Sequence, residues 1–418
     1  MRTAIVVCIG DELLIGQTLD TNSAWIAQQL SELGIDVVRK MTISDKASAI
    51  RWALDQSIGQ ADLVIMTGGL GPTRDDITKL ALADYFGAKM VRNTIVHQHV
   101  QQFFAMRNRP MLAVNDQQAD VPDNCEILFN SKGTAPGMLF QKNDTWIVSL
   151  PGVPSEMKTI ISEELLPRIL SAKQDNSCTI HKYLLLFGRG ESFIADDIAD
   201  IEHSMPAYIK LAYLPDHSSI KLRLSGKGND KCTLSEEMNQ YWNQIKERVQ
   251  EYIVAEEDTS MEAAVVQLLK KHQLTISTAE SCTGGMIGSK ITDIPGASAV
   301  YMGSIVSYDN KIKNAMLKVP EQVLSTVGAV SEETVRQMAE EVRNLMGTDI
   351  SVSVSGILGP DGGTASKPVG LVYFGIATPK GVTAYKRNFH QNRLINKEQV
   401  VKTALNFIRL AVLKEWEH

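Results

Sequence analysis

A basic excess is missing from this chain. Lys and Arg number 42 against 48 Asp and Glu, and the formal net charge is −6. That excludes a protein whose main task is to grip a nucleic-acid backbone, which takes a positive stripe, so nucleic acid is not an expected partner. Cysteine is sparse as well. Cys8, Cys125, Cys178, Cys232 and Cys282 are scattered and odd in number, with no CxxC pair. This excludes a disulfide framework and a zinc knuckle, and it suits a reducing, cytoplasmic setting. No apolar run reaches membrane-spanning length, and the first residues run straight into a strand pattern that stops at Gly10. Neither a membrane partner nor a signal peptide is expected. Low-complexity stretches and fixed-period repeats are lacking too. What is present is an ordinary soluble composition, 44% hydrophobic and 22% charged, over 418 residues. That length exceeds one ordinary core and predicts two or three domains.

Residues 1–172 alternate strand and helix patterns, as a parallel α/β sheet does. Strands are predicted over 3–9, 36–43, 63–66 and 146–150, with helices over 21–33, 47–57, 77–86 and 155–170. Residues 173–177 are polar and read as a linker. Residues 178–255 change in texture, with strands, a helix over 191–201 and a charged helix over 234–252, a small α+β unit. Residues 259–418 form a third, α/β unit. It opens with a helix over 261–272 and closes with an amphipathic helix over 396–416, expected to pack along its sheet.

Chemistry concentrates at Ser277-Thr-Ala-Glu-Ser-Cys-Thr-Gly-Gly285. The run 274–277 reads as a strand and 286–293 as a helix. A serine at such a junction is exposed at the carboxyl edge of a sheet, with helix-start N–H groups facing any charge that develops beside it. Ser281 is therefore the candidate nucleophile, although a lone serine there also reads as an N-cap. Four further glycine- and polar-rich breaks follow, at Tyr301-Met-Gly-Ser-Ile-Val-Ser-Tyr308-Asp-Asn310-Lys311-Ile-Lys313, Val327-Gly-Ala-Val-Ser331-Glu-Glu, Val354-Ser-Gly-Ile-Leu358-Gly359-Pro360-Asp361-Gly362-Gly363 and Lys367-Pro-Val-Gly370. No histidine lies near them, so the base is expected to be a lysine. A lysine acts as a base only when burial or a neighbouring cation lowers its pKa from about 10.4.

In that order, these motifs resemble the nicotinamide-nucleotide amidohydrolase domain of the CinA family, and the whole chain resembles a full-length member. The resemblance implies Lys313 as the base, with Lys311 either assisting or simply solvated. The Cys282–Gly285 turn is expected to bind the substrate and supply oxyanion N–H groups, with a hydroxyl from Thr283. Glu280 either orients the lysine or favours a helix start. Tyr308 and Asn310 are placed in the cleft, Gly359, Pro360, Asp361 and Gly362 in a loop around the ligand, and Arg393 at a phosphate. Leu358 departs from the family's usual alanine. The implied substrate is nicotinamide mononucleotide, hydrolysed without a metal or other cofactor.

In the first domain, Gly10-Asp11-Glu12-Leu-Leu-Ile-Gly-Gln-Thr-Leu-Asp-Thr-Asn22 and Thr67-Gly68-Gly69-Leu-Gly71-Pro-Thr-Arg-Asp75-Asp76-Ile-Thr78 resemble the molybdopterin-binding domain shared by molybdenum-cofactor enzymes and CinA proteins, and Asn130-Ser-Lys-Gly-Thr134-Ala-Pro-Gly137 and Leu150-Pro-Gly-Val-Pro-Ser-Glu156 resemble CinA proteins. The glycines offer bare N–H groups to an anion. Asp76 and Asp45 match catalytic carboxylates, and Asp11, Glu12, Asp75 and Asp76 are candidates to hold a divalent metal (Mg, Mn or Co). Each also reads as a helix-start acid. Family membership implies ADP-ribose pyrophosphatase activity; pterin binding is the alternative. The middle unit resembles a KH-like domain, serving as a spacer or dimer element of a homodimer. A competence or DNA-damage scaffold is the non-enzymatic rival, for which the chain lacks a basic groove.

Overall fold

Three sheets organise the chain in the computed structural model, which describes residues 2–73, 76–172 and 178–417. Asp75 and the expected linker at 173–177 lie outside the described residues. The first sheet holds β1 (Thr3–Ile9), β2 (Asp36–Ile43), β3 (Leu63–Thr67), β6 (Glu126–Leu128), β7 (Gly137–Lys142) and β8 (Thr145–Leu150), in the order β2-β1-β3-β8-β7-β6. A two-stranded ribbon, β4 (Met90–Arg92) with β5 (Asp120–Pro122), stands beside it.

β1 and β3 are buried on both faces, as a parallel sheet covered by helices requires. Ile26, Leu30, Met157 and Ile160 cover one face, and Ile50, Leu54 and Leu82 the other. The expected parallel sheet is parallel only from β2 to β8; β7 and β6 continue it antiparallel. The turn responsible is Asn143-Asp144, with φ of 51° and 60°, the left-handed pair that closes a two-residue hairpin. The helix expected over 155–170 is broken by one wide turn, Ile161–Leu165, just before Pro167, which has no N–H to donate to a regular ladder.

The middle sheet has the order β10-β11-β9-β12, from β9 (Cys178–Phe187), β10 (Ile209–Asp216), β11 (Ser219–Gly228) and β12 (Ile253–Ala255). The helix expected over 191–201 is two short helices, Glu191–Asp197 and Ala199–Ser204. By contact the chain forms two compact units. Gly226–Glu236 groups with the first domain, and His181–Ser225 groups with the segment from Glu237 onward.

The last sheet runs β14-β13-β15-β16-β17, from β13 (Ile276–Glu280), β14 (Tyr301–Val306), β15 (Ile350–Gly356), β16 (Leu371–Thr378) and β17 (Gly381–Asn388). β13 lies next to the edge strand β14 and is parallel to both neighbours, while β16 and β17 are antiparallel. Helices Met261–Lys271, Met286–Thr292 and Arg393–Trp416 cover one face, and Glu332–Met346 the other. The closing helix is not the one-sided amphipath expected from its pattern. From Val400 to Arg409 it is buried on every side, its polar residues included. The middle segment covers its outer face: Lys402 pairs with Asp216, and Arg409 donates to the carbonyl of Ile253 at 3.1 Å.

Phe374 of β16 anchors this core, fully buried with Phe407 edge-on at 5.3 Å. Phe374→Ala is expected to cost about 3–5 kcal/mol in chemical denaturation; a loss below about 1 kcal/mol would show that the core closes around the gap.

Candidate active site

The strand that delivers Ser281 is longer than its pattern suggests. It runs to Glu280 rather than stopping at Ser277, because its polar side chains find buried partners. Ser277 bonds Thr348 at 2.8 Å, and Thr278 bonds Tyr301 at 3.2 Å. The Ser281 amide then donates to the Val354 carbonyl of β15 at 3.0 Å, which fixes the residue at the carboxyl edge of the sheet. The chain reverses through Gly284 and Gly285, with φ of 61° and 92°, where a side chain would be strained, and enters helix Met286–Thr292.

Glu280 does not orient the lysine or face the cavity, as a catalytic role requires. Its carboxylate is fully buried and accepts from the amides of Ile287 (3.1 Å) and Gly288 (2.9 Å). Successive strand side chains point to opposite faces, so Glu280 is turned toward the helix and pins the nucleophile's turn to it. It is a positioning residue.

Lys313 sits on helix Asn310–Leu317, which is capped by Asp309. It is 1% exposed, and its Nζ lies 3.0 Å from Ser281 Oγ, 2.7 Å from the Ser307 carbonyl oxygen and 3.2 Å from that of Tyr308. These three oxygens suit the neutral amine: two N–H groups serve the two carbonyls, and the lone pair is left for the serine proton. Burial is the chief cause that pushes the lysine below its usual 10.5, against smaller opposing effects of Cys282 and Asp309. Lys311 is exposed and takes no part in that shift.

Ser281, 8% exposed, opens into a cavity of about 280 Å³. Cys282, Tyr308, Asn310, Gly359, Asp361, Gly362 and Arg393 line it, as predicted. Arg393 donates to the Gly359 carbonyl at 2.7 Å and to the Tyr308 hydroxyl at 3.2 Å, tying loop to tyrosine. The Cys282 thiol, pushed up to about 12 by burial, is a packing group. Pro360, Gly284 and Gly285 do not line the cavity, and the Gly284 amide is committed to the Ser281 carbonyl at 3.1 Å. Thr283 is not brought to the cavity either. It is fully buried, and its hydroxyl has no partner among the described residues. Leu358 is buried in the hydrophobic core and also lines the cavity. Ala329, Val330, Ser355, Gly356 and Ile357 also line it; they lie within the quoted breaks, but none was singled out as a site residue. The signal for Ser355 was its place at the end of a buried strand, where its hydroxyl donates to the Ala329 carbonyl at 2.7 Å.

In the first domain, Gly68 and Gly69 have φ of 118° and 66°, and a side chain would collide with Ile9 at the one and Thr78 at the other. Gly71 lies against the Asp76 carboxylate, which accepts from the Thr73 amide at 3.0 Å. Asp45 accepts from the Asp11 amide at 3.1 Å, and Glu12 folds back over Gly10. Glu156 is a loop brace: it accepts from Asn130 at 2.6 Å and holds the segment that carries half-buried Thr134. A cavity of about 130 Å³ is lined by Glu12, Thr18, Asp20, Asn22 and Thr67, all within the two quoted motifs, although only Glu12 was named as a site residue. Among the described residues, which leave out Asp75, no three His, Cys, Asp or Glu side chains converge on one point. No helix there is long and apolar enough to cross a membrane.

Three family models match in succession: a probable molybdopterin binding domain over residues 5–171, the KH domain of the damage-inducible protein CinA over 181–255, and the CinA C-terminal domain over 258–412. A CinA-like protein of Cytophaga hutchinsonii is 45% identical over 97% of this chain and 97% of its own. One of Flavobacterium psychrophilum is 43% identical over 99% and 98%. Among solved structures, a competence/damage inducible protein of Agrobacterium tumefaciens is 38% identical, covering 37% of this chain and 94% of its own, with a TM-score of 0.36.

If the 3.0 Å contact serves proton transfer, only a neutral Lys313 could accept the serine proton, and Ser281 should be unreactive below the lysine's ionisation and reactive above it. Labelling by a fluorophosphonate is expected to rise with pH, with a midpoint below 10.5. Lys313→Met should reduce labelling on the order of a hundredfold, and equal labelling of both proteins at all pH values would refute the pairing.

Proposed function

The chain belongs to the CinA family, and from that premise we propose that its last domain hydrolyses the carboxamide of nicotinamide mononucleotide to nicotinate mononucleotide and ammonia. The observation that carries this reading is the 3.0 Å approach of buried Lys313 to Ser281 Oγ beside a cavity of about 280 Å³.

Neutral Lys313 takes the hydroxyl proton as Ser281 Oγ bonds to the amide carbon. The negative charge that moves onto the amide oxygen falls to the backbone N–H groups of the turn after Ser281. Lys313 then gives its proton to the departing nitrogen, the carbon–nitrogen bond breaks, and ammonia leaves an acyl ester on Ser281. Water attacks that ester while Lys313 accepts its proton, and the proton returns to Oγ as the acid departs. Every proton is moved by one amine, so no histidine is needed.

The reading extends to the first domain as hydrolysis of ADP-ribose to AMP and ribose 5-phosphate with a divalent metal, within a cytoplasmic homodimer. Its support is the obligatory-glycine turn at 68–71, which suits close approach of a phosphate. Among the described residues no three metal-binding side chains converge, so no step is derived through a metal.

Ser281→Ala is expected to lower ammonia release from nicotinamide mononucleotide at least about a thousandfold without moving the unfolding midpoint; retained turnover removes the nucleophile. The same variant, incubated with ADP-ribose, should release AMP with Mg, Mn or Co and none with chelator. Absence of AMP with every metal, beside measurable pterin binding, would assign the first domain to ligand binding instead.

A further inference from the structure

Gly288 is a buried glycine inside helix Met286–Thr292, the helix that follows the nucleophile's turn. Its φ is not positive, and glycine inside a helix is unfavourable compared with alanine, so the backbone gives no reason for it. The reason stands on the edge strand. A Cβ built on Gly288 would collide with the hydroxyl oxygen of Tyr301 and lie 3.2 Å from the ring carbon that bears it. Tyr301, the half-buried first residue of β14, thus sets its phenol in the space that a side chain would fill. The hydroxyl also lies 3.2 Å from Thr278 Oγ1. Thr278 donates to Glu280 at 3.3 Å, and a carboxylate only accepts, so the tyrosine is the donor to Thr278. Glu280 in turn accepts from the Gly288 amide at 2.9 Å. Tyr301, Thr278, Glu280 and Gly288 therefore close a ring that runs from the edge strand through β13 to the helix and back. Burial raises the phenol above its usual 10.0, which keeps it a donor through neutral pH.

Resting on the reading of Ser281 as the amidase nucleophile, we propose that Tyr301 is a positioning residue that sets, through Gly288, how closely the nucleophile's helix sits on the sheet. Ser281 belongs to both: its amide is fixed to β15, and its turn ends in the helix. Glu280 draws the helix toward the strand through the amides of Ile287 and Gly288. The Tyr301 hydroxyl is the stop against which the helix then rests. Attraction without a stop leaves the turn free to shift, and Ser281 exchanges a proton with Lys313 only at hydrogen-bond distance. Tyr301 does not line the cavity, so its effect falls on the chemical step rather than on substrate binding.

The test uses the full chain and three variants, Tyr301→Phe, Gly288→Ala and the two combined. Each is read by the rate of fluorophosphonate labelling of Ser281 and by ammonia release from nicotinamide mononucleotide. Tyr301→Phe removes the stop, and Gly288→Ala drives a methyl group into it. Each single change is expected to lower the labelling rate and kcat about fivefold to tenfold, with KM within about twofold of wild type. In the combined variant the methyl group occupies the space that the hydroxyl vacates, so that protein should react faster than either single variant. A combined variant no faster than the faster single one overturns the assignment. So does a Tyr301→Phe protein that is labelled at the wild-type rate, or a loss confined to KM. Should Gly288→Ala fail to fold, the labelling rate and kcat of Tyr301→Phe decide alone. Wild type that is labelled yet releases no ammonia is a different result: it overturns the amidase reading, while the labelling rates still decide the role of Tyr301.

Discussion

The constraint on which the last domain depends is a lysine amine taken out of water and set against a serine hydroxyl. Lys313 is one of the largest side chains that the described fold buries completely. Its placement needs a strand end to present Ser281, a helix start to present the amine, and the backbone carbonyls of Ser307 and Tyr308 to receive its protons. None of these is a catalytic side chain by type. Each is backbone made available where a strand stops, which is why the site lies at the carboxyl edge of a parallel segment.

Around that pair, the supporting residues do work that resembles catalysis when read from sequence. Glu280 looks like a carboxylate for orienting a base. In the fold it is a cap that holds the helix after the nucleophile by two amides. The difference follows from strand alternation: adjacent residues at the end of β13 must face opposite ways, and only one of them can face the cavity. Thr283 is removed from the cavity by the same tight turn that exposes Ser281. In the first domain Glu156 is likewise spent on bracing a loop through Asn130. Motif membership therefore brought most of the quoted residues of the last domain to one cavity, while the contacts of Glu280, Thr283 and Glu156 differ from the roles expected of them.

The fold was legible where periodicity and punctuation agree. β1, β3 and β8 are continuous apolar runs and were readable as buried parallel strands. β13 was cut short because its buried half is Ser-Thr-Ala-Glu, whose polar groups are satisfied only by partners distant in sequence, Thr348 and Tyr301. The antiparallel extension of the first sheet turned on Asn143 and Asp144, a hairpin signal easily taken for loop polarity. The closing helix was misjudged for a different reason. Its polar residues are covered by a segment that precedes it by more than a hundred positions, and local pattern holds no trace of that cover.

Burying the amine also sets a direction for the energetics. A lysine whose folded pKa is lowered binds its proton less readily in the native chain than in the unfolded one. Between the folded pKa and 10.5 the unfolded chain holds more protons, so this group's contribution to stability improves as pH rises across that window. Below the window, both forms are protonated and the native state carries the full cost of a buried ammonium. The two carbonyls and the serine oxygen offset part of that cost by accepting three donors, and the remainder is what leaves the amine neutral, and so able to take a proton, at a lower pH. A fully solvated Lys313 would relieve the fold and lose the base. The destabilisation and the reactivity are one physical quantity, seen from the folding equilibrium and from the proton transfer.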